Sequence, residues 1–184
     1  MNRGEIERLL PEVFQRTLAP GSPLGAVLDA MEALHAPSEA VLATLDRTFS
    51  AYQAPDGFVP FLAGWVDLDR FLRPASPTAG HAEQAAWAFA GGLGRLRELV
   101  AAAAYLSQWR GTAHGLTLFL TTATGLGGFR VDEAVAGPDG LPRPFHIRVS
   151  APAASAPHRA LIEQIVEQEK PAYVTADLEF APSP

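Results

Sequence analysis

The spacing of apolar side chains divides this chain into a long helical stretch and a shorter one with strand-like alternation. In residues 5–18, Ile6, Leu9, Leu10, Val13 and Phe14 recur at near-helical intervals between charged residues, and Pro11 should kink that helix or split it into two short ones. A second helix is expected from about Leu24 to Leu34, with Val27, Leu28, Met31 and Leu34 on one face. A third is expected to open at Pro37-Ser38, with Ser38 as its N-cap and Val41, Leu42, Leu45, Thr48, Phe49 and Tyr52 as its stripe. The Pro55-Asp-Gly57 turn leads into an apolar segment, residues 58–68. Phe58, Phe61, Leu62 and Trp65 fall at i, i+3, i+4 and i+7 there, which predicts a short helix buried on that face. Residues 72–80 read as a surface loop.

Residues 82–109 carry the longest helical pattern, and the glycines at 91, 92 and 94 should break it. Its cleaner half presents Leu96, Leu99, Val100, Ala103, Leu106 and Trp109. Gly111 is placed to end the helix in the left-handed conformation, and Thr112 to cap the next one, which Gly125 should end. Beyond Gly128 the period changes from helix to strand. Residues 129–135 alternate, residues 137–140 form a turn, and Phe145, Ile147 and Val149 fall on one face of a second strand. A helix over 157–170 with Leu161, Ile162, Ile165 and Val166 inward stops at Pro171, and residues 172–180 form a third strand. The pattern predicts an α+β chain: a helical region over 1–128, then a small β-β-α-β domain over 129–184. Strand 172–180 or strand 145–149 offers an edge for pairing with a neighbouring subunit.

Composition narrows the function more than it identifies one. At 184 residues the chain can bury a core without staples, and with no cysteine it has neither disulfides nor thiolate metal sites, which fits assembly in a reducing cytoplasm. Charged residues make up only 18% against 48% apolar, a balance suited to a subunit that buries much of itself against partners. The net charge of -6 includes no basic patch that would neutralise a row of phosphates, so nucleic acid is not expected as a partner. No apolar run of membrane-spanning length occurs, and no apolar h-region follows the N-terminus, so neither a span nor a secretory signal is expected.

The residues that carry chemistry elsewhere are poorly arranged for it here. His35, His81, His114, His146 and His158 have no metal-pair spacing and read as surface or boundary residues. Asp67 and Asp69 would need further oxygen ligands to hold a cation and read as a polar rim. Gly125-Leu-Gly-Gly128 follows a helix and precedes a strand, the wrong polarity for a phosphate loop. No catalytic residue, cofactor or metal ligand is assigned. Arg110 has two readings, a bidentate contact to a carboxylate or backbone carbonyls that could lie on a partner, and an intramolecular clamp fixing the angle between the helices it joins; the clamp is preferred.

Three segments together resemble one family. Leu62-Ala-Gly-Trp-Val66 follows the Asp56-Gly-Phe58 turn. Tyr105 precedes Arg110-Gly-Thr-Ala-His-Gly-Leu116, and Ile165-Val-Glu-Gln-Glu-Lys-Pro-Ala172 precedes a strand. In this order they resemble the phage tail protein I family, over roughly residues 5–180. The resemblance implies a structural, non-enzymatic baseplate wedge component of a contractile phage tail or a phage-derived contractile injection system. It would be present in multiple copies, beside a larger wedge partner of the tail protein J type, the spike and hub, and the sheath-proximal baseplate proteins. Trp65, Tyr105, Arg110, Gly111, Thr112, Gly115 and Pro171 are its candidate structural or interaction residues. Two other classes compete with it: a small soluble adaptor unrelated to tails, which should be a well-behaved monomer, and an enzyme with an unrecognised site, which should show turnover.

Overall fold

In the computed structural model, which describes residues 2–74 and 87–181, the chain forms two compact units, residues 1–49 and 50–184. The first unit is helical. Helix α1 (Arg3–Leu9) opens with a capping box, in which the Asn2 side chain accepts from the Glu5 amide and Glu5 reaches back to the Asn2 amide. Pro11 separates it from the single turn α2 (Glu12–Gln15). Ser22 caps α3 (Pro23–Leu42), and a short α4 (Leu45–Thr48) follows. The break expected at Pro37-Ser38 is absent. Helix α3 runs through Pro37, which removes one intrahelical amide but is flanked by residues that keep helical geometry. Ser38 is therefore interior rather than a cap. Ile6, Gly25 and Leu28 are the buried positions of this unit, and Arg3 joins the two main helices through Asp29 at 2.7 Å.

The second unit holds the core. A one-turn 3-10 helix (Asp56–Phe58) leads into α5 (Val59–Trp65). A hairpin pairs β1 (Leu72–Pro74) with antiparallel β2 (Trp87–Phe89), so residues 72–74 are strand rather than loop, and 87–89 are strand rather than helix. The expectations for 75–86 lie outside the described residues. Gly92, at φ 87°, precedes α6 (Leu93–Gln108), and α7 (Ala113–Thr124) ends at left-handed Gly125. Then come β3 (Arg130–Asp132), β4 (His146–Ala151), α8 (Arg159–Glu169) and β5 (Thr175–Phe180). The three strands form one sheet in the order β3-β4-β5. β3 is antiparallel to β4, and β5 is parallel to it across the α8 crossover. The mixed α+β class read from the sequence holds. Among the described residues no helix is long and apolar enough to cross a membrane.

Val59, Leu62, Leu96, Leu99, Leu120, Val149, Ile162 and Ile165 belong to one apolar cluster. That cluster crosses residue 128, so the change of period marks a change of element type inside a shared core. Three orientations depart from the sequence reading. On α5 it is Val59, Leu62 and Ala63 that turn inward, while Phe61 and Trp65 are exposed. Every position of that helix but one is apolar or Pro, so spacing alone does not say which side is buried. On β4 the inward set is Ile147, Val149 and Ala151. Phe145 precedes the strand at φ 54° and is 66% exposed against Tyr173. His146 is buried rather than at the surface, hydrogen-bonded to Thr175 Oγ1 at 2.7 Å and Asp177 at 3.0 Å.

Candidate interaction site at the α6–α7 junction

The junction is built from three residues with local backbone demands. Gly111 sits at φ 76°, where an L side chain is strained. The Thr112 hydroxyl accepts from the Gly115 amide at 3.0 Å, capping α7, and donates to the Trp109 carbonyl at 2.7 Å. Gly115 lies so close to that carbonyl that a Cβ there would stand 2.0 Å from the oxygen. These three residues, rather than an arginine, set how α7 leaves α6.

Arg110 performs a different task. Its Nη1 donates to Asp67 Oδ2 at 3.0 Å, and its Nε lies 3.7 Å from Glu169 Oε2. Arg70 bridges the same two carboxylates, and its carbonyl accepts from Gln164 at 2.8 Å. The four side chains form an intramolecular ionic cluster. It ties the end of α6 to the turn after α5 and to the end of α8, so the clamp does not join the two helices flanking Arg110. Glu169 is only 8% exposed, so both guanidinium groups compensate a carboxylate withdrawn from water. At Asp67, partial burial pushes the carboxyl up, but hydrogen bonds from Arg110 and Arg70 and their charges outweigh it and hold it below its ordinary value. Asp67 has φ 59°, an uncommon conformation for a non-glycine residue that the two arginines help to hold.

The cleft over this cluster has a volume of about 40 Å³, room for water and far below the few hundred Å³ of a small-molecule site. A neighbouring cleft of about 60 Å³ brings Gly111 and Thr112 beside Pro171, Val174 and Glu169. The other two candidates lie apart from it. Tyr105 is half exposed on α6, and Trp65, 63% exposed, lines a separate groove with Phe61, Leu72 and Trp87. Sequence reasoning passed over Arg70 and Glu169. Arg70 stands three residues after Asp67, a spacing visible in the chain, whereas Glu169 lies 99 residues beyond Arg70 and gives no local signal.

The family of phage tail proteins described as "Phage tail protein (Tail_P2_I)" matches residues 22–173, which takes in the junction, the ionic cluster and most of both units. No relative among curated proteins matches the chain. With far more than half of its length matched, the chain belongs to the phage tail protein I family, whose structural role in the tail implies other tail proteins as its partners.

Proposed function

We propose that this chain is a wedge component of the baseplate, in a contractile phage tail or a phage-derived contractile injection system, and that its N-terminal helices bundle with a larger wedge partner. It would act as a scaffold without catalysis, in several copies around the spike and hub. The observation that carries this reading is an uncovered apolar seam on α3. Leu24, Val27, Met31, Leu34, Ser38 and Val41 alternate at intervals of three and four, and Leu45 extends the series into α4. That is the heptad spacing of a helix that packs along another helix, with one polar position of the kind that fixes register. Val27, Met31, Leu34, Val41 and Leu45 are all exposed, Leu34 at 78%. A unit of this size that buries little more than Ile6 and Leu28 lacks the core to be stable by itself. A helix from another tail protein would supply the missing side of that core.

Charging the seam tests it. Leu34→Glu and Val41→Glu change exposed positions, so the chain should keep its own fold while losing the other tail proteins with which it co-purifies from producing cells. Unchanged recovery of those proteins with the doubly charged variant would overturn the reading.

A further inference from the structure

We infer that the free edge of β5 receives an extended segment of another protein in which basic and apolar residues alternate. This stands independently of the N-terminal seam. β5 is six residues long and, among the described residues, pairs on one side only, with β4. The bonds at the two ends of that ladder fix its parity: the Thr175 amide donates to the Phe145 carbonyl at 2.9 Å, and the Ala181 amide to the Ala151 carbonyl at 2.8 Å. In a parallel pair a residue directs its N–H and C=O to the same side. The odd-numbered residues therefore serve β4, and Ala176, Leu178 and Phe180 direct their peptide groups away from the sheet. Among the described residues no hydrogen bond from outside the β4 ladder reaches those three amides. An unpaired edge of this length is a template for strand addition, with main-chain hydrogen bonds supplying affinity and alternate side chains supplying specificity.

The side chains identify the occupant. On one face β5 presents half-buried Ala176, Leu178 and Phe180, and the Arg159 guanidinium covers the Phe180 ring at 4.1 Å. On the other it presents Asp177 and Glu179, about half exposed, each meeting a cation of the same chain: Arg143, in the loop before β4, at 3.5 Å from Asp177, and Arg148 of β4 at 3.1 Å from Glu179. An added strand would set one row of its side chains beside Leu178 and Phe180 and the other beside the two carboxylates. Apolar residues suit the first row and basic residues the second. A second copy of β5 would bring Asp177 and Glu179 against their own counterparts, so the edge is built against self-pairing. At the start of the strand, Phe145 and Tyr173 stand exposed and edge-to-face, with ring centroids 5.4 Å apart. The Phe145 carbonyl, which accepts from the Thr175 amide and hydroxyl, holds that left-handed residue in place. These two rings form an apolar anchor beside the entry of the strand.

The test is amide hydrogen exchange, resolved residue by residue by NMR on the full chain, with two synthetic peptides: one of alternating valine and arginine, one of alternating valine and glutamate. The arginine peptide, at ten times its dissociation constant, should slow exchange at Ala176, Leu178 and Phe180 about tenfold, and the glutamate peptide should not. The double variant Asp177→Lys, Glu179→Lys should reverse that preference. Leu178→Pro, which removes an amide that β4 does not use, should abolish binding of both. No protection at millimolar peptide, or equal protection by both peptides, would overturn the inference. So would concentration-dependent protection of the same three amides without peptide, because the occupant would then be a second copy.

Discussion

Replacing Gly115 with alanine should destabilise the second unit, although alanine is the better helix former. In α7 the exchange of glycine for alanine would ordinarily gain about 1 kcal/mol. The added Cβ would stand 2.0 Å from the Trp109 carbonyl oxygen and 2.7 Å from its carbon, whereas unstrained C···O contacts begin near about 3.3 Å. The carbonyl must therefore retreat by roughly 1 Å, and it belongs to backbone rather than to a side chain that can swing aside. It also accepts from both the Thr112 hydroxyl and the Thr112 amide, so the movement disturbs the cap of α7. Overpacking costs about 1–3 kcal/mol and a lost cap about 1 kcal/mol, which leaves a net loss of about 2 kcal/mol after the helix propensity is credited. Gly94→Ala is the matched control. It lies in α6 with nothing within 4 Å of the new methyl group, and it should be neutral or stabilising by up to about 1 kcal/mol. Urea unfolding followed by tryptophan fluorescence reads this unit selectively, since Trp65, Trp87 and Trp109 all lie in residues 50–184. Gly115→Ala should lower the midpoint by about 1 M with an unchanged slope. A midpoint equal to or above that of the unmodified chain would refute the close-approach argument.

The ionic cluster yields two further expectations. Arg70→Met leaves the buried Glu169 carboxylate with only the more distant Arg110 and should cost about 3–5 kcal/mol in the same unfolding assay, while a loss under about 1 kcal/mol would show that Glu169 needs no such compensation. The Asp67 carboxyl titrates lower in the folded chain than in the unfolded one, so unfolding takes up protons at acid pH. Its contribution is whole above the ordinary value of 3.8 and is lost as the pH falls through the lower folded value. Asp67→Asn should flatten that acid limb of the stability curve, and an unchanged limb would mean that the cluster does not hold the carboxylate charged.

The parts of the fold that were legible in the sequence are those decided by neighbours along the chain. Gly111, Thr112 and Gly125 announce a stop, a start and a stop because left-handed backbone and hydroxyl caps are local requirements. The change of period after Gly128 located the sheet for the same reason. The hairpin of β1 and β2 escaped notice because three residues are too few to show alternation. The continuity of α3 through Pro37 was missed because a proline signal does not reveal whether the next turn resumes. Orientation was hidden on α5, where apolar residues surround the axis, and at Phe145, a left-handed residue that leaves the alternation continued by Ile147 and Val149. Most of the ionic cluster was beyond local reading, because Glu169 joins Arg70 and Arg110 only when α8 packs against the turn after α5. The misread apolar faces share one consequence. Side chains placed on an apolar face, such as Leu34 on α3 and Trp65 on α5, are exposed.

The most direct measurement is to purify a tagged copy of the full chain from the cells that produce it, identify the accompanying proteins by mass spectrometry, and examine the same eluate by negative-stain microscopy. The account predicts sheath, tube and spike proteins together with a larger wedge partner, in rod-shaped particles carrying the tag at one end. Recovery of the chain as a lone monomer, while those tail proteins are demonstrably expressed in the same cells, would contradict it.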